Sequence, residues 1–321
     1  MMSNEEEKKM NSNFLESVSN AIVDVVKEVS PSVVQVMGGR RGLGTGVVWD
    51  NEGRIVTSAH VVGRAQSVEV TPSGEEDSEN ENKPTYSAKI IGQDRFSDIA
   101  LLQLESAEIA DLKPIKKGDS SKLSTGQFVL ALANPFGGKP VATFGIITTP
   151  NATIGGQGGR MPWSDNVIVT DARLNPGYSG GPLLDASGRM IGLNSAYFAN
   201  RGISIPVNTL NESVKDLSVE GGVKRAYLGI FSDSISLPDE VAKEINQEEG
   251  LIVFRVEAGT PAKKGGVAVG DVIVKLDSKP IRNFRDLQRL LTSKIIGKQT
   301  TLSVLRGEKL TELTVTPTES L

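Results

Sequence analysis

The stretch DARLNPGYSGGPLLDASGRMIGLNSA, residues 171–196, decides how this chain is read. Its centre, Gly177-Tyr178-Ser179-Gly180-Gly181, places one hydroxyl among glycines, which have no Cβ to resist unusual dihedrals or to block a close approach. Pro182-Leu183-Leu184-Asp185 follows at once, and the turn signal Ser187-Gly188 separates it from a second apolar run beginning at Met190. Turn, strand, hairpin and strand are the parts of an antiparallel β domain.

The pattern continues outward. From Ser32 to about Pro206 short β-type runs recur, among them SVVQVM, RIVTSA, IALLQL, FVLALA, NVIVTD and GISIPV, with turns such as Asp50-Asn51-Glu52-Gly53 between them. About a dozen short strands without intervening helices suit closed or sandwich-like antiparallel domains and exclude a parallel α/β sheet. Upstream, Phe14–Val29 carries apolar residues at helical spacing and Ser30-Pro31 stops it. Its β-branched content weakens intrinsic helicity, so the helix needs a docking surface, on its own domain or on another subunit. Residues 1–13 read as a disordered lead. Pro72–Pro84, acidic and almost devoid of apolar side chains, reads as an exposed flexible loop. The first unit is therefore 14–212, followed by a linker at 213–226. A second unit, 227–317, alternates short strands with short helices around one small core, and 318–321 form a tail.

Composition narrows the chemistry. The chain has no cysteine, which removes disulfides, thiolate nucleophiles and cysteine metal sites; its one histidine, His60, removes a His-rich catalytic metal centre. No metal or cofactor is expected. A net charge of -4 with scattered Lys and Arg gives no reason to expect nucleic acid. The polar start, MMSNEEEKKMNSNF, lacks the apolar core of a secretion signal, and no apolar run reaches the roughly 20 residues of a membrane span. A cytoplasmic protein without a membrane anchor is expected.

Three segments carry the chemistry. His60 in IVTSAHVV and Asp98 in RFSDIALLQL each lie beside a strand, and Ser179 lies in the glycine-rich turn. Alone, each is an ordinary bystander, cap or turn residue. Together, in the order His, Asp, Ser, they match the double-barrel serine proteases; α/β-hydrolases place serine first and subtilisins aspartate. Ser179 is expected to attack, His60 to take its proton and Asp98 to fix the imidazole. The amides of Gly177, Tyr178 and Ser179 are the candidate oxyanion hole.

These motifs, with GLGTGVVW from Gly42 and ALANPFG from Ala131, resemble the HtrA/Deg family of trypsin-fold serine endopeptidases. The second unit, with AYLGI from Ala226, VEAGTPAKKGG and FRDLQRLL, resembles a PDZ domain of that family. Two residues depart from the family pattern: Ser58 stands where the family usually has Asn, and Tyr178 replaces the Asn most often found before the nucleophile. The resemblance implies an all-β chain with a chymotrypsin-like double β-barrel, a short N-terminal helix and a PDZ-like β-sandwich with capping helices. It further implies an ATP-independent endopeptidase acting on unfolded or misfolded polypeptides, with chaperone-like holding and assembly into homotrimers or larger oligomers. The S1 lining is expected from Asn194, Ser195, Ala196, Ile203 and Ile205, which favour an aliphatic P1 residue. Peptide C-termini are expected to bind at Tyr227-Leu228-Gly229-Ile230, held by the backbone N–H groups of Leu228, Gly229 and Ile230, with Ile230, Leu287 and Leu291 packing on the last side chain. The alternative is a proteolytically inactive, PDZ-containing holdase.

Overall fold

The computed structural model describes residues 4–38, 42–74, 84–95, 97–105, 112–154, 164–198, 200–218, 226–307 and 309–319. Most of the acidic loop expected at 72–84, and residues 219–225 of the linker expected at 213–226, lie outside them. The chain divides into two units, one built from residues 1–153 and 166–222, the other including Val223–Leu321.

In the first unit twelve strands close into two barrels, the first in the order β1-β2-β3-β6-β5-β4 and the second β10-β11-β12-β9-β8-β7. The first comprises β1 (Val33–Gly38), β2 (Gly42–Val48), β3 (Arg54–Thr57), β4 (Ser67–Pro72), β5 (Tyr86–Asp94) and β6 (Ile99–Leu104). The second comprises β7 (Phe128–Ala133), β8 (Val141–Ile154), β9 (Ser164–Thr170), β10 (Pro182–Asp185), β11 (Met190–Phe198) and β12 (Arg201–Pro206). Closure removes free sheet edges. Each barrel is filled by β-branched and aliphatic side chains, Val34, Val36, Ile55, Val70 and Leu102 in one, Val129, Ile147, Ile168, Leu183 and Ile191 in the other.

Helix α1 runs Asn4–Val29, so the lead expected to be disordered from 1 to 13 is helical from Asn4. The one-turn helix α2 (Ala59–Val62) follows β3. Helix α3 (Val207–Leu217) follows β12 and buries Val207, Leu210, Val214 and Leu217. That burial corrects the linker expected from 213: Val214 and Leu217 continue the helical stripe, and Leu217 packs where a Cβ on Gly92 of β5 would stand.

The second unit contains β13 (Ala226–Tyr227), β14 (Ile230–Ser236), α4 (Asp239–Ile245), β15 (Glu249–Val256), α5 (Pro261–Lys264), β16 (Val272–Leu276), β17 (Lys279–Pro280), α6 (Phe284–Leu290), β18 (Thr300–Arg306), β19 (Lys309–Val315) and β20 (Thr318–Glu319). Its main sheet has the order β14-β15-β16-β18-β19, with β17 on β16, which leaves β14 as an edge. Residues 318–319, expected to be tail, pair with 226–227 at the expected linker's end, so the two termini of the unit are tied to each other.

Candidate active site

Strand pairing brings distant residues together. Thr57, the last residue of β3, is registered against Ala100 in β6, so the segments immediately after 57 and before 99 must meet. Those segments carry His60, in α2, and Asp98. The Ala59 N–H donates to the Asp98 carbonyl (3.2 Å) and the His60 N–H to its carboxylate (3.0 Å). Asp98 adopts φ +56°, a left-handed conformation that Asp tolerates better than most residues. His60 Nδ1 lies 2.8 and 2.9 Å from the two carboxylate oxygens. A carboxylate only accepts, so Nδ1 carries the proton and Nε2 keeps its lone pair, as a base requires. The hydrogen bond with Asp98 raises the His60 pKa above its ordinary value; partial burial opposes this and the carboxylate's charge assists it.

Ser195 completes the surroundings of Asp98, its Oγ donating to the other carboxylate oxygen at 2.6 Å. The Ser179 hydroxyl donates to the Ser195 carbonyl at 3.0 Å, and among the described residues it has no bond to His60. A rotation about its side chain is needed before it can give its proton to the imidazole.

The turn around Ser179 is held by its carbonyls. The Gly177 carbonyl accepts from Thr45 Oγ1 (2.7 Å), that of Tyr178 from Gly181 N–H (2.9 Å), and that of Ser179 from Thr45 N–H (2.9 Å). Gly180 has φ +84°, and a Cβ there would stand 2.0 Å from the Thr45 carbonyl oxygen, so only glycine fits. The N–H groups of Gly177 and Ser179 have no acceptor among the described residues. Tyr178 N–H, also expected to serve the oxyanion hole, is instead spent on the Asn175 carbonyl at 3.0 Å. The Tyr178 ring is buried in the core of the second barrel. Burial raises its hydroxyl pKa, against a hydrogen bond with Thr143. Ser58, at the start of α2, is fully buried and its hydroxyl has no partner among the described residues.

The expected S1 set fares unevenly. Asn194 is fully buried, its Nδ2 donating to the Pro182 carbonyl and its Oδ1 accepting from Ser204, so it braces the barrel and does not face substrate. Ser195 faces Asp98. Ile203 and Ile205 flank Ser204 on β12, point to the opposite side by strand alternation, and are both buried. Ala196 keeps partial exposure.

In the second unit, the Leu228 carbonyl accepts from Ala262 N–H and the Gly229 carbonyl from Glu257 N–H, each at 2.9 Å. The N–H groups of Leu228 and Gly229 have no acceptor among the described residues. Gly229 has φ +82°, and a Cβ would come 2.3 Å from Thr260. The Tyr227 hydroxyl bonds the Glu257 carboxylate; burial and that carboxylate push its pKa up to about 12. Ile230 and Leu291 are partly exposed around this loop, whereas Leu287, expected to touch peptide, is fully buried in the core because the α6 stripe turns it inward.

Residues 44–193 match the family model of the trypsin-like peptidase domain and residues 233–316 that of the PDZ domain. The chain is 34% identical over 328 residues to Protease Do-like 1, chloroplastic, of Arabidopsis thaliana, covering 92% of this chain and 71% of that protein. It is 34% identical over 282 residues to the periplasmic pH-dependent serine endoprotease DegQ of Escherichia coli (strain K12), covering 86% and 59%. Among solved structures it is similar to the HtrA-type protease AlgW with tripeptide, with a TM-score of 0.67 and 29% identity over 93% of this chain and 97% of that one. The cytoplasmic expectation is corrected here: the compartments named for these relatives are chloroplastic and periplasmic. A polar N-terminal sequence was a weak guide to compartment. No helix among the described residues is long and apolar enough to cross a membrane.

Proposed function

From the premise that this chain belongs to the HtrA/Deg family of trypsin-like serine proteases with a PDZ domain, we propose that it is an ATP-independent quality-control endopeptidase whose nucleophile is Ser179. The observation that carries the assignment is the His60–Asp98 pair at 2.8 Å beside a serine whose flanking amides, Gly177 and Ser179, have no acceptor among the described residues. His60 Nε2 takes the Ser179 proton as Oγ attacks the scissile carbonyl, and Asp98 favours the imidazolium that results. The two free N–H groups receive the negative charge that develops on the carbonyl oxygen. Such a donor is worth about 2.7–4 kcal/mol in transition-state stabilisation. His60 then returns the proton to the leaving amine, and water, deprotonated by the same imidazole, clears the acyl-enzyme.

Substrates are unfolded or misfolded polypeptides, whose C-termini the PDZ domain receives at its Leu228-Gly229 loop. An aliphatic P1 residue is favoured by the partly exposed Ala196 and by the lack of an acidic side chain in Leu193–Phe198. The working assembly is a homotrimer, to which the exposed apolar residues of α1 contribute.

A fluorophosphonate probe should label Ser179, and Ser179→Ala should abolish both labelling and cleavage of an unfolded protein. Cleavage by the wild type should fall mainly after Val, Ile, Leu or Ala. Aggregation suppression without labelling, or cleavage that survives in Ser179→Ala, would contradict the assignment; the first result would favour the holdase.

A further inference from the structure

We infer that Thr45, on the first barrel, is a positioning residue for the oxyanion hole on the second, acting through the carbonyl of Gly177. The inference rests on the reading of Ser179 as nucleophile. Thr45 lies in β2, 132 positions from Gly177 in the chain, and is fully buried.

All of its polar atoms are engaged. Its N–H donates to the Ser179 carbonyl (2.9 Å) and its Oγ1 donates to the Gly177 carbonyl (2.7 Å). The same Oγ1 accepts from the Asn134 N–H (2.9 Å), and its carbonyl accepts from Thr57 Oγ1 (2.7 Å).

The geometry explains why a hydroxyl is needed. A hydroxyl gives one proton and accepts others. With its proton fixed on Gly177, Thr45 Oγ1 can receive Asn134 N–H at the same time. Asn134 precedes Pro135, whose Cβ would stand 2.5 Å from a Cβ on Gly177, so the Asn134-Pro135 segment and Gly177 are packed against each other. One side chain thereby sets both the peptide plane after Gly177 and the segment that backs it. The peptide planes before Gly177 and Ser179 carry the two N–H groups that must converge on the oxyanion. The planes after those residues, carrying the Gly177 and Ser179 carbonyls, are the ones that Thr45 pins. If the Gly177 carbonyl is released, that plane is held only by the Tyr178 N–H bond to the Asn175 carbonyl (3.0 Å), and the two donors lose the second restraint that fixes their common aim.

This assigns Thr45 a role in the transition state and not in substrate binding. Thr45→Val keeps the shape and removes the hydroxyl, Thr45→Ala leaves room for a water to replace it, and Thr45→Ser restores it. With an unfolded protein substrate, kcat should fall about 10–100-fold in Thr45→Val with KM nearly unchanged, less in Thr45→Ala, and return close to wild type in Thr45→Ser. A peptide boronate, whose oxygen occupies the oxyanion position, should lose affinity in parallel with kcat. Circular dichroism and thermal melting report whether each variant folds.

Wild-type kcat in a folded variant without the hydroxyl, a folded Thr45→Ser as impaired as Thr45→Val, or a loss confined to KM would overturn the inference. So would failure of both hydroxyl-less variants to fold, which would make Thr45 a structural residue only. Labelling of wild-type Ser179 is read separately, so a failed nucleophile assignment is distinguishable from a failed role for Thr45.

Discussion

Ser195 shows how a residue can be adjacent to a site and still do different work from that expected. Its position in LNSAYF pointed to the substrate pocket, but β11 turns its hydroxyl onto Asp98 at 2.6 Å. Removing that donor in Ser195→Ala leaves the carboxylate less satisfied and more attractive to a cationic imidazole. The His60 pKa, already raised by Asp98, should rise further, so the acid limb of the kcat/KM profile should move to higher pH while kcat at its plateau falls a few-fold. A limb that stays in place, or moves to lower pH, would show that Ser195 does not act on the pair. In the wild type the limb should already lie above the ordinary histidine value of 6.5. Stability runs the other way. Because the folded state favours protonated His60, the pair's contribution is complete below the unfolded pKa and is lost as pH climbs through the raised folded value. The His60 side chain is 54% exposed, so water screens the effect and it is small. At this scale the sequence disclosed the His, Asp, Ser order and the glycines around Ser179. It could not disclose Thr45, nor the bond from Ser195 to Asp98, because a threonine or a serine in a strand looks like any other until the fold brings it to Gly177 or to Asp98.

Among the elements, strands were the most legible, since alternation and turn residues are local signals. Helix ends were less so. The linker expected from 213 overlaps the end of α3, because the surface that buries Val214 and Leu217, including Gly92 of β5, is remote in sequence. The pairing of 318–319 with 226–227 was invisible for the same reason. Helix α1 carries the sharpest question at this scale. Its last turns are docked: Val29 is buried, and Val25 and Val29 lie within 3.4–3.5 Å of where a Gly188 Cβ would stand. Further back, Phe14 and Leu15 are 65% and 68% exposed. Large apolar residues left in water on a helix with weak intrinsic propensity are accounted for if a second subunit covers them. The double variant Phe14→Glu/Leu15→Glu should therefore lower the mass measured by light scattering from that of a trimer toward that of a monomer, without loss of the barrel's circular dichroism. A wild-type protein that is already monomeric at assay concentrations, or a variant of unchanged mass, would remove α1 from the interface.

Across the molecule one backbone device appears twice. At Ser179 and again at Leu228-Gly229, a glycine with positive φ stands in a turn whose carbonyls are held by neighbours while N–H groups remain without acceptors among the described residues. In one unit this suits a transient oxyanion and in the other a peptide carboxylate, both small anions read by amides and not by side-chain charge. The two units should nevertheless answer pH differently. His60 is the single histidine of the whole chain, so no side chain of the second unit has an ordinary pKa between 5 and 8. That unit instead contains Asp271, 1% exposed, with Arg306 Nε and the guanidinium NH2 nitrogen 2.7 and 2.8 Å from its two oxygens and the Ala268 N–H at 2.8 Å. Burial alone would raise the Asp271 pKa, but the Arg306 fork and the amide outweigh it and hold the carboxyl below its ordinary 3.8. A depressed folded pKa means stability that is present above the unfolded value and lost as pH falls through the folded one. Hydrogen exchange across β16 and β18 of the full chain, corrected for intrinsic rates, should therefore show flat protection from pH 6 to 8, where proteolysis switches on, and a decline only in the acid range. Asp271→Asn should lower that protection already at neutral pH and flatten its acid dependence, because the fork then faces a neutral amide. Unchanged protection in Asp271→Asn, or a wild-type change between pH 6 and 8, would show that the second unit's stability has another origin. Catalysis and the firmness of the peptide-binding unit would then share a pH range, contrary to the separation that one histidine and one buried carboxylate impose.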